Sequence, residues 1–279
     1  MLTYPHIDPV IISIGPLKIR WYGLMYVLGF AATYLLVRYQ ASRFRWQAML
    51  DHLDNLNLAL ILGVILGGRL GYVLFYNLGY YLRHPLEILA TWEGGMSFHG
   101  GCIGVVAAGL WYCRRHELDF WKAADLYVVT VPIGLGLGRI GNFINGELFG
   151  RVTDLPWGMV FPAAGPLPRH PSQLYEAALE GVLLFVILWS LRTRPWSGER
   201  ARRWPHGAML ALFLILYGVL RFLVEFVRQP DPQLGTLALG LTMGQFLSSA
   251  MVLAGVLLWL WRVRAADRGA SREGTGRHT

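Results

Sequence analysis

Seven apolar stretches alternate with polar connections along the chain: Trp21 to Val37, Leu56 to Tyr76, Met96 to Cys113, Leu126 to Ile144, Leu174 to Leu191, Ala208 to Val227 and Met243 to Trp261. Each approaches the ~20 residues that cross a hydrocarbon core about 30 Å thick. The pattern predicts an all-α integral membrane protein with seven transmembrane helices. Basic residues orient it. Arg38, Arg43 and Arg45 follow the first stretch; Arg114, Arg115 and Lys122 follow the third; Arg192, Arg194, Arg200, Arg202 and Arg203 follow the fifth; Arg262, Arg264, Arg268, Arg272 and Arg277 follow the last. These sixteen of the 25 Lys and Arg fall on one side of a seven-span topology, the cytoplasmic side by the positive-inside rule, so the N-terminus is expected outside and the C-terminus inside.

The outer connection between the fourth and fifth stretches, about residues 147–172, carries Pro156, Trp157, Pro162, Pro166, Pro168 and Pro171. It is too long for a turn and has aromatics to pack, which predicts a small ordered outer cap. A single membrane domain is expected over residues 1–264. Residues 265–279 are polar and glycine-bearing and are expected to form a disordered cytoplasmic tail. Met1 to Pro16 has Asp8, three prolines and no basic segment before an apolar core, so no cleaved signal peptide is expected.

Composition agrees with a membrane protein: 54% of residues are hydrophobic and 15% charged, against about 25% charged in soluble domains. The net charge of +8 could suggest a nucleic-acid partner, but its concentration in loops on one side accounts for it, and none is expected. Cys102 and Cys113 lie eleven residues apart in one apolar stretch, about 16 Å along a helix, too far to bridge.

Charges inside the apolar stretches are the candidate chemistry. Arginine at a membrane-helix centre costs about 2.5–3.5 kcal/mol, so Arg139 should face a wet or protein-lined cavity with an anionic partner. Gly136, Gly138 and Gly141 spell GxGxxG, but no strand precedes them, so a dinucleotide site is not supported. Gly134 and Gly138 fit a small-residue packing face. Arg69, Arg139 and Arg221 each lie fourteen residues from their expected helix starts at Asn55, Asp125 and Gly207, which is about 21 Å along a helix and predicts one shared depth in the outer half of the membrane. His99 and Tyr22 open helices on that side. Tyr217, Arg221 and Glu225 share one helix face.

Structural alternatives stand beside these readings. Arg221 and Glu225 can form a simple ion pair, Arg139 can pair with Glu147 or Glu176, and Arg69 can snorkel to headgroups. His99 can be a hydrogen-bonded interfacial histidine. Gly100 and Gly101 after it leave room for another backbone or a lipid. Glu176 and Glu180 read better as partners for the arginines than as an acid/base pair. Cys102, three residues after His99, is expected to be small, buried and inert.

Several polar blocks together carry a resemblance. Trp21-Tyr22-Gly23, His99-Gly100-Gly101, Arg139 to Gly150, Arg169-His170-Pro171-Ser172-Gln173-Leu174-Tyr175-Glu176, and Tyr217-Gly218 to Arg228-Gln229-Pro230-Asp231 resemble, in order, blocks of the bacterial prolipoprotein diacylglyceryl transferases, over roughly residues 15–262. The resemblance implies transfer of the diacylglyceryl group of phosphatidylglycerol to the lipobox cysteine of a prolipoprotein signal peptide, at the outer leaflet of the bacterial cytoplasmic (inner) membrane. The implied catalytic residues are His99, Arg139, Arg221 and Tyr22. Asn142, Glu147, Gly150, Tyr217 and Glu225, with the two arginines, are implied to bind substrate. A thiol of reference pKa about 8.5 must lose its proton, and either His99 or Tyr22 could accept it. Guanidinium forks suit the phosphate on which charge develops. No metal or other cofactor is required, and no cluster with metal-ligand spacing is present.

Two other classes compete. An anion channel would spread its arginines across the membrane instead of banking them at one depth. A retinal-type receptor needs a lysine in its last helix, and the only lysines are Lys18 and Lys122.

Overall fold

The computed structural model describes residues 2–5, 7–15, 17–91, 94–199, 204–229 and 240–275. Of the positions named above, Met1, Pro16, Arg200, Arg202, Arg203, Pro230, Asp231 and Arg277 lie outside them. The protein is mostly helical: α1 (Trp21–Arg43), α2 (Gln47–Tyr76), α3 (Leu78–Tyr81), α4 (Phe98–Arg115), α5 (Phe120–Val128), α6 (Val131–Ile144), α7 (Ser172–Glu176), a π-helical turn (Ala177–Leu183), α8 (Leu184–Leu191), α9 (Ala208–Val224) and α10 (Met243–Thr275). Four segments are long and apolar enough to cross a membrane: Gln47–Tyr76, Phe120–Ile144, Ser172–Trp196 and Met243–Arg268. Ala208–Val224 is a shorter apolar helix. Their outward faces carry exposed Leu66, Leu70, Val182, Val186, Leu253 and Leu257, a surface suited to lipid and not to water.

The expectation of an all-α membrane protein agrees with this mostly helical fold, to which two small two-stranded sheets are added. The strands are β1 (Leu2–Thr3), β2 (Val10–Ile14), β3 (Leu17–Arg20) and β4 (Met159–Val160). The β2 and β3 strands form an antiparallel hairpin, while β1 pairs in parallel with β4. The apolar periodicity of the long helices carries no trace of these short strands.

The shared-depth count also changes. The α2 helix begins at Gln47, eight residues before the expected Asn55, so Arg69 is 22 residues from its helix start. Arg139 lies on α6, which starts afresh at Val131 after turns at Val129 and Thr130. Pro132 explains that break: it has no N–H to donate, and its ring crowds the carbonyl four residues back. Only Arg221, on a helix capped at Gly207, keeps the fourteen-residue spacing.

The chain divides into two compact units, Arg38–Ala123 and Met1–Val37 with Ala124–Thr279. In the first, α2 and α4 pack through glycines. A methyl carbon on Gly67 would lie 2.7 Å from Cα of Gly104, and one on Gly71 would lie 2.8 Å from Cα of Gly100. Both approaches are too close for any Cβ, so glycine here brings the two backbones into contact, as in small-xxx-small helix pairs. Gly100 thus admits another backbone, one of the two options the sequence allowed.

In the second unit, Val128, Val129, Leu184, Leu188 and Met209 form a buried cluster joining the α5–α6 break to α8 and α9. Asp125 caps α9: its carboxylate accepts from the backbone N–H groups of Gly207 (2.8 Å) and Met209 (3.0 Å), satisfying donors that a helix start leaves orphaned. Residues 147–172 are ordered. Gly150 donates to the carbonyl of His170 at 2.8 Å, and Met159 and Arg169 exchange backbone hydrogen bonds. Beneath them Tyr4, Phe143 and Phe161 pack together. The Tyr4 hydroxyl donates to the carbonyls of Phe143 (2.6 Å) and Ile144 (3.0 Å) at the C-terminal end of α6. Burial raises the pKa of this phenol.

Candidate active site

Glu176, the last residue of α7, is fully buried and anchors three arginines. Its Oε2 lies 2.8 Å from Nε of Arg139 on α6 and 2.9 Å from Nη1 of Arg221 on α9. Nη1 of Arg228, just beyond α9, is 3.3 Å from both carboxylate oxygens. Arg221 turns its Nη2 to Glu225 at 3.0 Å, and Thr242 donates to the other oxygen of Glu225 at 3.1 Å. Glu180, in the π-helical turn, is also fully buried but differently held. Its oxygens come no closer than 3.7 Å to Arg221 and 4.0 Å to Arg139, and neither has a hydrogen-bond partner among the described residues.

The cluster therefore holds three guanidiniums against three carboxylates, which explains how so much charge persists in an apolar setting. Two of the three structural alternatives raised for the arginines are realised. Arg221 pairs with Glu225, and Arg139 pairs with Glu176. Glu147 is not the partner of Arg139; it accepts instead from the side chains of Asn142 at 2.9 Å and Asn145 at 3.1 Å. The guanidiniums are nevertheless not sealed in. The side chains of Arg139 and Arg221 remain 18% and 15% exposed, and Nη1 of Arg139 has no partner among the described residues. A bound anion could therefore meet donors already fixed in direction.

The backbone makes this convergence possible. Gly136 of α6 and Gly181 of the π-helical turn meet so closely that a methyl carbon on Gly181 would lie 2.7 Å from Cα of Gly136. These glycines, not Gly134 and Gly138, hold α6 against the Glu176 segment; a methyl carbon on either of the latter would meet nothing within 4 Å, and Gly134 is instead approached from α1, where one on Gly29 would lie 3.3 Å from its Cα. Single π-helical turns inside α-helices occur often at functional sites.

Tyr22 packs on α6, where a methyl carbon on Gly141 would lie 2.8 Å from its Cδ2, and its hydroxyl lies 3.1 Å from that of Tyr26. Tyr217 stacks on Phe213 with centroids 5.5 Å apart. Gly150 is wedged between backbones: a methyl carbon there would lie 2.7 Å from Cβ of His170 and 2.9 Å from its carbonyl oxygen. Beside it His170 sits 3.3 Å from the Tyr175 hydroxyl, and burial lowers the pKa of its imidazole.

The unit of residues 38–123 holds the remaining candidates. His99 is the second residue of α4, exposed, in edge contact with Phe98, and without a hydrogen-bond partner among the described residues. The interfacial hydrogen bond considered for it is absent there. Arg69 is only 4% exposed and donates to the backbone carbonyls of Glu87, Ile88, Gly94 and Gly95, which overturns the snorkelling alternative. Its charge is absorbed by carbonyl dipoles.

Cys102 is a second correction: it is exposed, not buried. The buried face of α4 runs through Gly100, Gly101, Gly109, Tyr112 and Cys113, and position 102 is turned about 100° from Gly101 on an ideal helix. Lying in the apolar surface of α4, it remains a poor nucleophile. Cys102→Ala is expected to keep the transfer rate within about twofold of the parent, measured on purified protein. A Cys102→Ala variant that folds and binds lipid but has no activity would overturn this reading in favour of a covalent cysteine mechanism.

Sequence reasoning named Arg139, Arg221 and Glu225 as site residues and assigned Glu176 and Glu180 to the arginines. It missed Arg228 as a member of the cluster. The signal was faint: Arg228 lies past the end of α9 in an isolated β-bridge with Gly150, where helical spacing no longer applies.

Comparison with known proteins addresses the chemistry. A sequence model of the family described as prolipoprotein diacylglyceryl transferase matches residues 9–261. The chain is 62% identical over 269 residues to the phosphatidylglycerol--prolipoprotein diacylglyceryl transferase of Desulfotalea psychrophila, covering 96% of this chain and 98% of that protein. The enzyme of the same name from Pseudomonas aeruginosa is 55% identical over 265 residues, covering 95% and 97%. That from Geobacter sulfurreducens is 54% identical over 257 residues, covering 92% and 96%. Agreement of this extent, end to end, leaves one assignment: the chain belongs to the prolipoprotein diacylglyceryl transferase family.

Proposed function

We propose that this protein transfers the diacylglyceryl group of phosphatidylglycerol to the lipobox cysteine of prolipoproteins, as the first step of bacterial lipoprotein maturation. The observation that carries the reading is identity of 62% across nearly the whole length of a relative bearing that activity in its name. The arginine cluster supplies fitting chemistry. The cysteine sulfur attacks the glyceryl carbon, an S–C bond forms, and the C–O bond to phosphate breaks with its electrons passing to the phosphate oxygen. Glycerol phosphate leaves. Arg139 and Arg221 hold the phosphate and stabilise that charge as it develops, an effect worth ~10²–10³ in rate per donor in comparable sites.

His99 takes the thiol proton, with Tyr22 as the alternative acceptor, and the proton passes on to the released phosphate or solvent. Asn142, Glu147, Gly150, Tyr217 and Glu225 line the substrate. In this reading residues 1–264 form one domain with seven membrane spans, N-terminus outside and C-terminus cytoplasmic. Residues 147–172 cap it on the outer side, and residues 265–279 form a cytoplasmic tail. The enzyme then resides in the bacterial inner membrane with its active site toward the outer leaflet, and its partners are lipid and the prolipoprotein signal peptide. Nucleic acid has no part in it.

The test uses purified protein, phosphatidylglycerol and a lipobox peptide in detergent. Thioether product and glycerol phosphate should appear in equal amounts, and their absence would overturn the assignment. The same assay locates the proton acceptor. His99→Gln should be slow at neutral pH and recover as pH rises toward the thiol's own pKa, about 8.5 for a free thiol. A ratio of parent to variant rates that stays constant with pH would move the role to Tyr22.

A further inference from the structure

Arg69 is charged, 4% exposed and without a carboxylate partner among the described residues, yet every contact it makes is specific. Its Nε donates to the carbonyl of Ile88 at 2.8 Å, Nη1 to Gly94 at 2.7 Å and Gly95 at 3.2 Å, and Nη2 to Glu87 at 2.5 Å. The guanidinium also lies 5.1 Å from the centroid of the Tyr81 ring. Two separate stretches of the loop between α3 and α4 are thereby tied to one side chain. Gly94 and Gly95 both have positive φ, +90° and +74°, so this backbone does not form repeating structure that would satisfy its own carbonyls.

The tied loop leads directly into the start of α4. Ser97 donates its backbone N–H to the carbonyl of Gly68, the neighbour of Arg69, at 2.8 Å, and its hydroxyl caps α4 by accepting from Gly100 at 3.2 Å. Two residues after Ser97 stands His99, whose imidazole has no hydrogen bond among the described residues to hold it. Its placement depends on the backbone beneath it. We propose that Arg69 is a positioning residue for the transfer reaction, fixing the loop and the first turn of α4 and thereby the location of His99. Its donors are engaged by carbonyls, so it does not serve as a phosphate ligand. A lysine cannot replace it, because one ammonium cannot reach four carbonyls on two stretches as a planar five-donor fork can.

This inference rests on His99 being the proton acceptor, and the experiment separates the two. Arg69→Lys, His99→Gln and the double variant are purified in detergent and assayed with phosphatidylglycerol and a lipobox peptide, with thermal midpoints measured alongside. Arg69→Lys is expected to lower kcat by about 10- to 100-fold while changing KM less than about threefold, the size expected when a catalytic group is displaced by about 1 Å. In the His99→Gln background the same change should cost less than about threefold, because two substitutions acting through one group are not additive. Equal losses in both backgrounds would overturn the positioning role while leaving His99 in place. Parent-like activity of His99→Gln would overturn the acceptor reading and this inference with it. Should Arg69→Lys fail to fold, Gly94→Ala serves: the added methyl meets nothing within 4 Å but strains a left-handed backbone. Its expected loss of about three- to tenfold in kcat should likewise vanish in the His99→Gln background, and persistence there would overturn the proposal.

Discussion

Glu176→Gln is expected to cut the transfer rate by at least about 10²-fold and to lower the thermal midpoint measurably, the largest effect of any single carboxylate in the protein. The substitution keeps the shape of the side chain and removes its charge. Arg139, Arg221 and Arg228 then meet a neutral amide whose NH₂ group repels guanidinium donors. Breaking a buried ion pair by removing one partner costs about 3–5 kcal/mol, because the remaining charge is left uncompensated. Here three charges share the loss, and the two arginines assigned to phosphate lose their common anchor. Glu180→Gln supplies the contrast. Glu180 is as deeply buried but accepts no hydrogen bond among the described residues, so its amide variant should be milder in both rate and melting. A Glu180→Gln variant as damaged as Glu176→Gln would mean that charge balance, not hydrogen-bonded anchoring, organises the arginines.

Arg139→Lys should be nearly as inactive as Arg139→Gln, each falling about 10²–10³-fold, although the lysine variant conserves charge. Arg139 uses its Nε to hold Glu176 while Nη1 stays without a partner among the described residues. A planar fork can do both at once, with one edge on the anchor and the other toward an anion. An ammonium is a point charge and must choose between them. Steady-state rates against phosphatidylglycerol concentration distinguish the cases. Loss confined to KM would indicate that Arg139 only binds ground-state lipid, whereas loss in kcat is expected if it stabilises departing phosphate. Full activity of the lysine variant would reduce Arg139 to a counter-ion of Glu176.

The long helices were legible because their apolar runs exceed what a soluble core requires: each run overlaps a helix, although the fourth is broken by turns at Val129 and Thr130 and the sixth outruns α9 by three residues. What stayed illegible is what periodicity does not encode. The parallel pairing of Leu2–Thr3 with Met159–Val160 spans more than half the chain and is two residues long, too short for an alternating pattern. The π-helical turn at Ala177–Leu183 sits inside a continuous helical run from Ser172 to Leu191, and no residue in it announces the wider winding. In the site, Arg221 and Glu225 were found through their four-residue spacing on one helix. Glu176 could be named as a partner for arginines, but that three of them would share it depends on how α6, α7 and α9 come together. The role of Arg69 was not legible: its charge in an apolar run allowed snorkelling to headgroups, and the chain instead surrounds it with carbonyls from a loop whose conformation no local pattern announces.

The glycine seam of α2 and α4 has a mechanical side. Gly63, Gly67 and Gly71 recur every four residues, and so do Gly100 and Gly104, so the contact is periodic along both axes. A slip of four residues, about 6 Å at 1.5 Å per residue, would bring Gly63 opposite Gly104 and Gly67 opposite Gly100, so the glycines by themselves would fit a second alignment. One-turn ratchets between helices exploit this sort of degeneracy. Arg69 is the one arginine on α2, so its ties to the loop have no second match along that helix. They act as a detent on an otherwise smooth rail, selecting one alignment of α2 and α4 from two that the glycines alone would tolerate.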